Sequence, residues 1–316
     1  VIVALAGGVG GARLSAGLAA LLPPRRLAFI VNTGDDFEHL GFTICPDLDT
    51  VAYTLAGVND PSAGWGRADE TWNFMETLGQ LGGETWFRLG DRDLALHVLR
   101  RAALARGARL SDVTQALAAR LGVKHPIFPM SETPVRTRVK TARGELAFQD
   151  YFVRLRCRPR VTGFRYAGAR RAQVPAALAP LLRAGGVRAA VICPSNPYVS
   201  IAPILSVAPL RKWLAARRFP VVAVSPIVGG EAVKGPAAKM MRELGHRPSA
   251  LEVARCYGGL VDGWVIDRRD QGLRDAIEHE GRRVVVTDTM MTDRAASTRL
   301  AQQVLAFARR LAGRAA

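Results

Sequence analysis

Four carboxylates fall within fifteen residues near the start of this chain, Asp35 and Asp36 adjacent and Asp47 and Asp49 spaced by one. They sit in two segments, Asn32-Thr33-Gly34-Asp35-Asp36 and Cys45-Pro46-Asp47-Leu48-Asp49-Thr50. A hard cation such as Mg²⁺ takes one or two carboxylates and fills its remaining positions with substrate oxygens and water, so this density is enough for one such site. The competing reading is that Asp47 and Asp49 cap a helix beginning near Thr50, where Asp is favoured for reasons unrelated to catalysis.

Upstream lies Gly7-Gly8-Val9-Gly10-Gly11-Ala12-Arg13. Glycines let a backbone approach a phosphate, and amides at a helix N-terminus favour an anion. The loop is neither a dinucleotide fingerprint, since Arg13 stands where the third glycine belongs, nor a P-loop, since it lacks Lys-Ser/Thr. Further on, Leu89-Gly90-Asp91-Arg92-Asp93 places a planar guanidinium between two acids. Such a group forks to phosphate or stacks on a heterocycle when it is not merely a neutralised surface turn. Cys193-Pro194-Ser195-Asn196-Pro197 is a rigid loop presenting two polar side chains. Ser225 to Pro236 contains Gly229, Gly230 and Lys234, one of only 5 Lys among 44 basic residues, which suits a phosphate contact.

These segments share a position relative to the elements around them. Apolar, often β-branched runs at Val1 to Ala6, Leu27 to Asn32, Val187 to Cys193, Pro220 to Ser225, Gly263 to Asp267 and Arg283 to Asp288 alternate with helical patterns. That rhythm predicts an α/β fold, a Rossmann-like doubly wound parallel sheet, whose ligands bind beyond the carboxyl ends of the strands. Most of the polar segments directly follow one of these runs. The interval between the second and third runs breaks the rhythm: Thr71 to Leu121 reads as mostly helical, with Ser111 and Asp112 as caps, while Val135 to Val139 and Tyr151 to Leu155 have strand periodicity. The expected organisation is a nucleotide-binding core over 1–60 and 185–316 with an inserted, mostly helical acceptor-side subdomain over 61–184.

Composition excludes several classes. The net charge of +17 suggests nucleic acid, but the charge is uneven: residues 1–100 carry 7 basic and 12 acidic side chains, and the rest carry 37 basic and 15 acidic. No zinc-finger spacing or RNP-type aromatic run accompanies it, so nucleic-acid binding is not expected. Four scattered cysteines indicate neither a disulfide framework nor structural zinc. No membrane span or signal peptide is expected, and the protein is expected to be cytoplasmic.

The segments GGVGGAR, NTGDD, ICPDLDT, LGDRD, PSNPYVSI and SPIVGGEAVKGPAAKMM, in this order between residues 7 and 241, resemble the 2-phospho-L-lactate transferase family. The resemblance implies transfer of a phospho three-carbon acid from a guanosine diphospho donor to the ribityl hydroxyl of the deazaflavin FO, with release of GMP, in coenzyme F-420 biosynthesis. It implies Mg²⁺ as cofactor, held by Asp35 and Asp49, and a possible homodimer. Asp49 and Arg92 match positions that contact FO. Asp35, Asp36 and Asp49 form the expected catalytic set, with Asp36 or Asp47 orienting the attacking hydroxyl or taking its proton. Gly8, Gly10, Gly11, Arg13, Ser195, Asn196, Gly229, Gly230 and Lys234 are expected around the nucleotide and its phosphates. A related fold family of sugar-nucleotide-binding regulators is the alternative; ICPDLDT and PSNPYVS are features in which it is expected to differ.

Overall fold

The computed structural model describes residues 1–183 and 185–313. Seven strands form a central, entirely parallel sheet: β1 (Ile2–Ala6), β2 (Leu27–Val31), β3 (Ile127–Pro129), β4 (Ala189–Ile192), β5 (Val221–Val224), β6 (Gly263–Asp267) and β7 (Arg283–Thr287). Their spatial order is β3-β2-β1-β4-β5-β6-β7. The order reverses between β1 and β4, and a doubly wound sheet opens its ligand crevice at such a reversal.

Both sheet faces are covered, so the strands are apolar throughout rather than alternating with polar residues. Val3 and Leu5 point into one core with Ile30, Ala190 and Ala223, while Ala4 and Ala6 point into the other with Phe29, Val31 and Val191. The second core is closed by α1 (Gly8–Leu21) and the C-terminal helix Arg294–Ala312. These cross at Gly17, where an added Cβ would lie 2.2 Å from the Ser297 carbonyl oxygen.

The six strands expected from sequence are all present. The interval 61–184 is not a separate insertion throughout, because Ile127–Pro129 pairs with Phe29–Val31 as the outermost strand of the sheet. Its first half carries α3 (Asn73–Gln80), α4 (Asp91–Ala105) and α5 (Leu110–Arg120), following α2 (Pro46–Ala56) of the core. Its second half is a three-stranded antiparallel sheet of Arg136–Thr141, Gly144–Ala147 and Val161–Ala167. Tyr151 to Leu155, expected as extended, is instead a π-helical turn over Asp150–Arg154. Ser111 does not cap α5, which begins a residue earlier at Leu110; its hydroxyl and amide bond the Glu132 carboxylate.

Candidate active site

A cavity of about 710 Å³ opens over the carboxyl ends of β1 and β4, a volume typical of small-molecule sites. Its floor is the glycine segment, which is the first turn of α1 itself: Gly7 is extended at the N-cap and Gly8 has φ +62°. Bulk is excluded there. A Cβ on Gly10 would lie 2.3 Å from the Pro194 carbonyl oxygen, and one on Gly7 2.5 Å from an Asp47 oxygen. Ser195 clamps the two loops together, its hydroxyl donating to the Gly7 carbonyl at 2.8 Å. Gly11 lies beneath this contact, so it shapes the floor without lining the cavity. Asn196 lines the cavity while its side-chain oxygen accepts from the amides of Tyr198 and Val199. Arg13 reaches the rim, donating to the Met291 carbonyl at 2.8 Å.

Asp47 and Asp49 occupy the first turn of α2 but neither caps it. Asp47 turns back to the glycine loop, accepting the Gly8 amide at 2.6 Å. The Asn32 side-chain amide then donates to Asp47 at 2.8 Å and to Asp35 at 3.3 Å, gathering these two carboxylates at the cavity wall. Burial pushes both acids up, Asp47 to about 6, and the Asp47 and Asp36 charges add to the rise of Asp35. Asp36 does not line the cavity. It is buried with both oxygens lacking a conventional partner, and burial pushes it up to about 7 against the pull of Arg136, Cys45 and Arg100.

Asp49 lines the cavity but is already paired. The buried Arg100 guanidinium forks to both of its oxygens, one contact at 3.0 Å. The carboxylates that converge are therefore Asp35 and Asp47, rather than Asp35 and Asp49. Among the described residues no group of three or more His, Cys, Asp or Glu could hold a metal unaided. A hydrated Mg²⁺ needs only one or two carboxylates, and two buried acids whose charges oppose each other's ionisation gain from a cation, so this donor set fits the ion.

Arg92 departs from expectation. Its guanidinium is half exposed, bonds the Ala68 carbonyl and does not line the cavity. On α4 the inward face is set by Asp93, His97 and Arg100, at spacings of four and three, and residue 92 lies about 100° away from Asp93. Gly229 and Gly230 also stand outside the cavity. With φ of +59° and +81° they turn the hairpin between Ile227–Val228 and Glu231–Ala232, a geometry glycine adopts without steric cost. Lys234 does line it, and its ammonium donates to the Ala63 carbonyl at 2.8 Å, tying the segment around Trp65 across the mouth.

The remaining wall is aromatic. Trp65, Trp86, Phe87, Phe148 and Phe152 line it, with the Phe148 and Phe152 rings stacked at 5.4 Å and 8°. Sequence reasoning did not find this wall, nor Tyr53, His97 and Arg100, and it gave no role to Asn32 and Asp93, although both lie in segments it singled out. The spacing of Asp93, His97 and Arg100 along one helix face was the available clue.

A doubly wound α/β frame with a helix N-terminus, paired acids and an aromatic wall in one crevice has the layout of a small-molecule site. Comparison with known proteins narrows this. The family description "2-phospho-L-lactate transferase CofD" matches residues 2–305. The chain is 42% identical over 314 residues to a phosphoenolpyruvate transferase of Streptomyces griseus, covering 97% of this chain and 98% of that one. It is 40% identical over 317 residues to a 2-phospho-L-lactate transferase of Methanopyrus kandleri, covering 99% of each. A solved structure of a UPF0052-family protein from Bacillus halodurans shares the fold with a TM-score of 0.62 at 13% identity, over 96% of this chain and 98% of that one. The chain belongs to the 2-phospho-L-lactate transferase CofD family and is a transferase. Among the described residues no helix is long and apolar enough to cross a membrane.

Proposed function

We propose that the protein moves a phospho three-carbon acid, phosphoenolpyruvyl, phospholactyl or phosphoglyceryl, from a guanosine diphospho donor to the ribityl hydroxyl of FO, releasing GMP, as a step of coenzyme F-420 biosynthesis. The observation that carries this reading is the adjacency of three chemistries in one cavity. Asp47 holds the amide of the glycine loop, Asn32 joins Asp47 to Asp35, and the Asp35 carbonyl accepts from Gln149, next to Phe148 of the aromatic wall.

In this reading the helix N-terminus, Arg13 and Lys234 receive the diphosphate, and the aromatic wall receives the deazaflavin. The acceptor hydroxyl oxygen forms a bond to the β-phosphorus as the bond from that phosphorus to the GMP oxygen breaks. The hydroxyl proton passes to one carboxylate of the Asp35–Asp47 pair, and the other stays ionised. Such displacements depend on positioning and charge neutralisation more than on covalent help from the protein. A Mg²⁺ ion held by Asp35 and Asp47 would neutralise phosphate charge. Incubation of the protein with FO, Mg²⁺ and each guanylylated acid is expected to release GMP and yield an FO adduct heavier by the phospho-acid. Absence of GMP with every three-carbon donor would overturn the proposal, and an equimolar mixture of donors identifies the acid by the adduct mass.

A further inference from the structure

Tyr53, Asp93, His97 and Arg100 form a polar network on the α4 side of the cavity, and of these only Asp93 lies within a family motif. The Tyr53 hydroxyl donates to one Asp93 oxygen, and His97 Nε2 stands 3.2 Å from the other. Arg100 Nη1 lies 3.3 Å from His97 Nδ1. A guanidinium can only donate, so His97 Nδ1 accepts there, while Nε2 faces Asp93 without a hydrogen bond of conventional geometry. Arg100 is spent on Asp49, and among the described residues no arginine or lysine forms an ion pair with Asp93. Arg67, 5.7 Å from the Tyr53 ring centre, forms no ion pair with it among the described residues.

Asp93 is not spent on its helix. The amides of Arg92 and Asp93 at the start of α4 are both taken by Glu70, at 2.7 and 2.8 Å, and Asp91 anchors the start of α3 through the Asn73 and Phe74 amides. Asp93 instead turns inward, lines the cavity and keeps 17% of its side chain exposed. A mostly buried carboxylate is costly unless further donors reach it, and Asp93 lines the cavity, where a ligand can bring one.

We propose that Asp93, fixed by Tyr53 and His97, is a positioning residue that reads a hydrogen-bond donor of the acceptor, a side-chain hydroxyl or a ring N–H. The inference rests on the acceptor assignment above. With His97 close by and the Tyr53 hydroxyl donating to it, both holding it ionised against its burial, Asp93 serves as an acceptor of hydrogen bonds and leaves proton transfer to the Asp35–Asp47 pair.

The test is equilibrium binding, by fluorescence without donor substrate, of FO and two analogues, one with an alkyl chain in place of ribityl and one methylated at the ring N–H. Asp93→Asn is expected to weaken FO binding by about 10- to 100-fold. The loss is expected to vanish for the analogue lacking the group that Asp93 reads, which a purely structural role would not produce. Asp93→Ser, a smaller side chain that keeps an oxygen, decides if the Asn variant does not fold, as judged by its melting curve. Wild-type affinity in a folded variant overturns the inference, as does an equal loss for all three ligands or failure of both variants to fold. Failure of the wild-type protein to bind FO at all would instead overturn the acceptor assignment.

Discussion

Asp49 and Arg100 are 51 residues apart and share one buried, forked ion pair, which changes what substitution at Asp49 should do. Removing one partner of such a pair strands the other charge, typically at about 3–5 kcal/mol. Asp49→Ala is therefore expected to lower the urea midpoint as well as activity, and an unchanged midpoint would show that Arg100 is relieved elsewhere. Asp36 is the opposite case. Its folded-state pKa of about 7 stands above the ordinary 3.8, so the native state holds the proton more tightly than the unfolded chain. Its contribution to stability then falls as pH rises from about 4 through about 7, and the penalty persists above that. Asp36→Asn is expected to match wild type near pH 4 and exceed it by an amount on the order of 2–4 kcal/mol at pH 8. Chemical denaturation at the two pH values measures the difference; a gain independent of pH would remove the titration explanation.

At the scale of elements, the first turn of α1 serves as both structure and site. Gly10 lies against the Pro194 carbonyl, so Gly10→Ala must push the loop after β4 away from the loop after β1. Overpacking of this kind costs about 1–3 kcal/mol, and here it also displaces Ser195 and Asn196. Activity is expected to fall by more than the loss of stability explains, measured as turnover at a temperature where the variant is fully folded. Turnover equal to wild type would show that the crevice at the sheet reversal tolerates widening.

Across the whole molecule, charge and cavity are linked. The paired acids lie in the acidic first third, while Lys234, from the basic remainder, reaches across the cavity to the Ala63 carbonyl. Lys234→Ala is expected to raise the KM for the guanosine diphospho donor about tenfold and to speed proteolytic cleavage in the segment around Trp65; no change in either would confine Lys234 to solvent. Mg²⁺ is expected to raise the melting temperature more at pH 8 than at pH 5, because protonated Asp35 and Asp47 do not bind it. At a hundredfold excess over Kd the gain is about 2.7 kcal/mol, and Asp47→Asn should abolish it.

The amino-acid sequence by itself determined the class of fold, because six buried strands are short apolar runs punctuated by turn residues, and such runs cannot satisfy their burial except in a sheet covered on both faces. It also marked the floor of the site, since Gly7 to Arg13, Asp35, Ser195 and Asn196 closely follow those runs and Asp47 lies in the second acidic segment. Ile127–Pro129 escaped because a three-residue edge strand that follows one proline and ends on another carries almost no periodicity. Only the tertiary structure decided which acids converge and which are spent. Asn32 draws Asp47 to Asp35, Arg100 claims Asp49, and the turn of α4 aims Asp93 inward and Arg92 out. Those partnerships join residues up to 51 positions apart, and they arise from how helices seat on the sheet rather than from any local pattern.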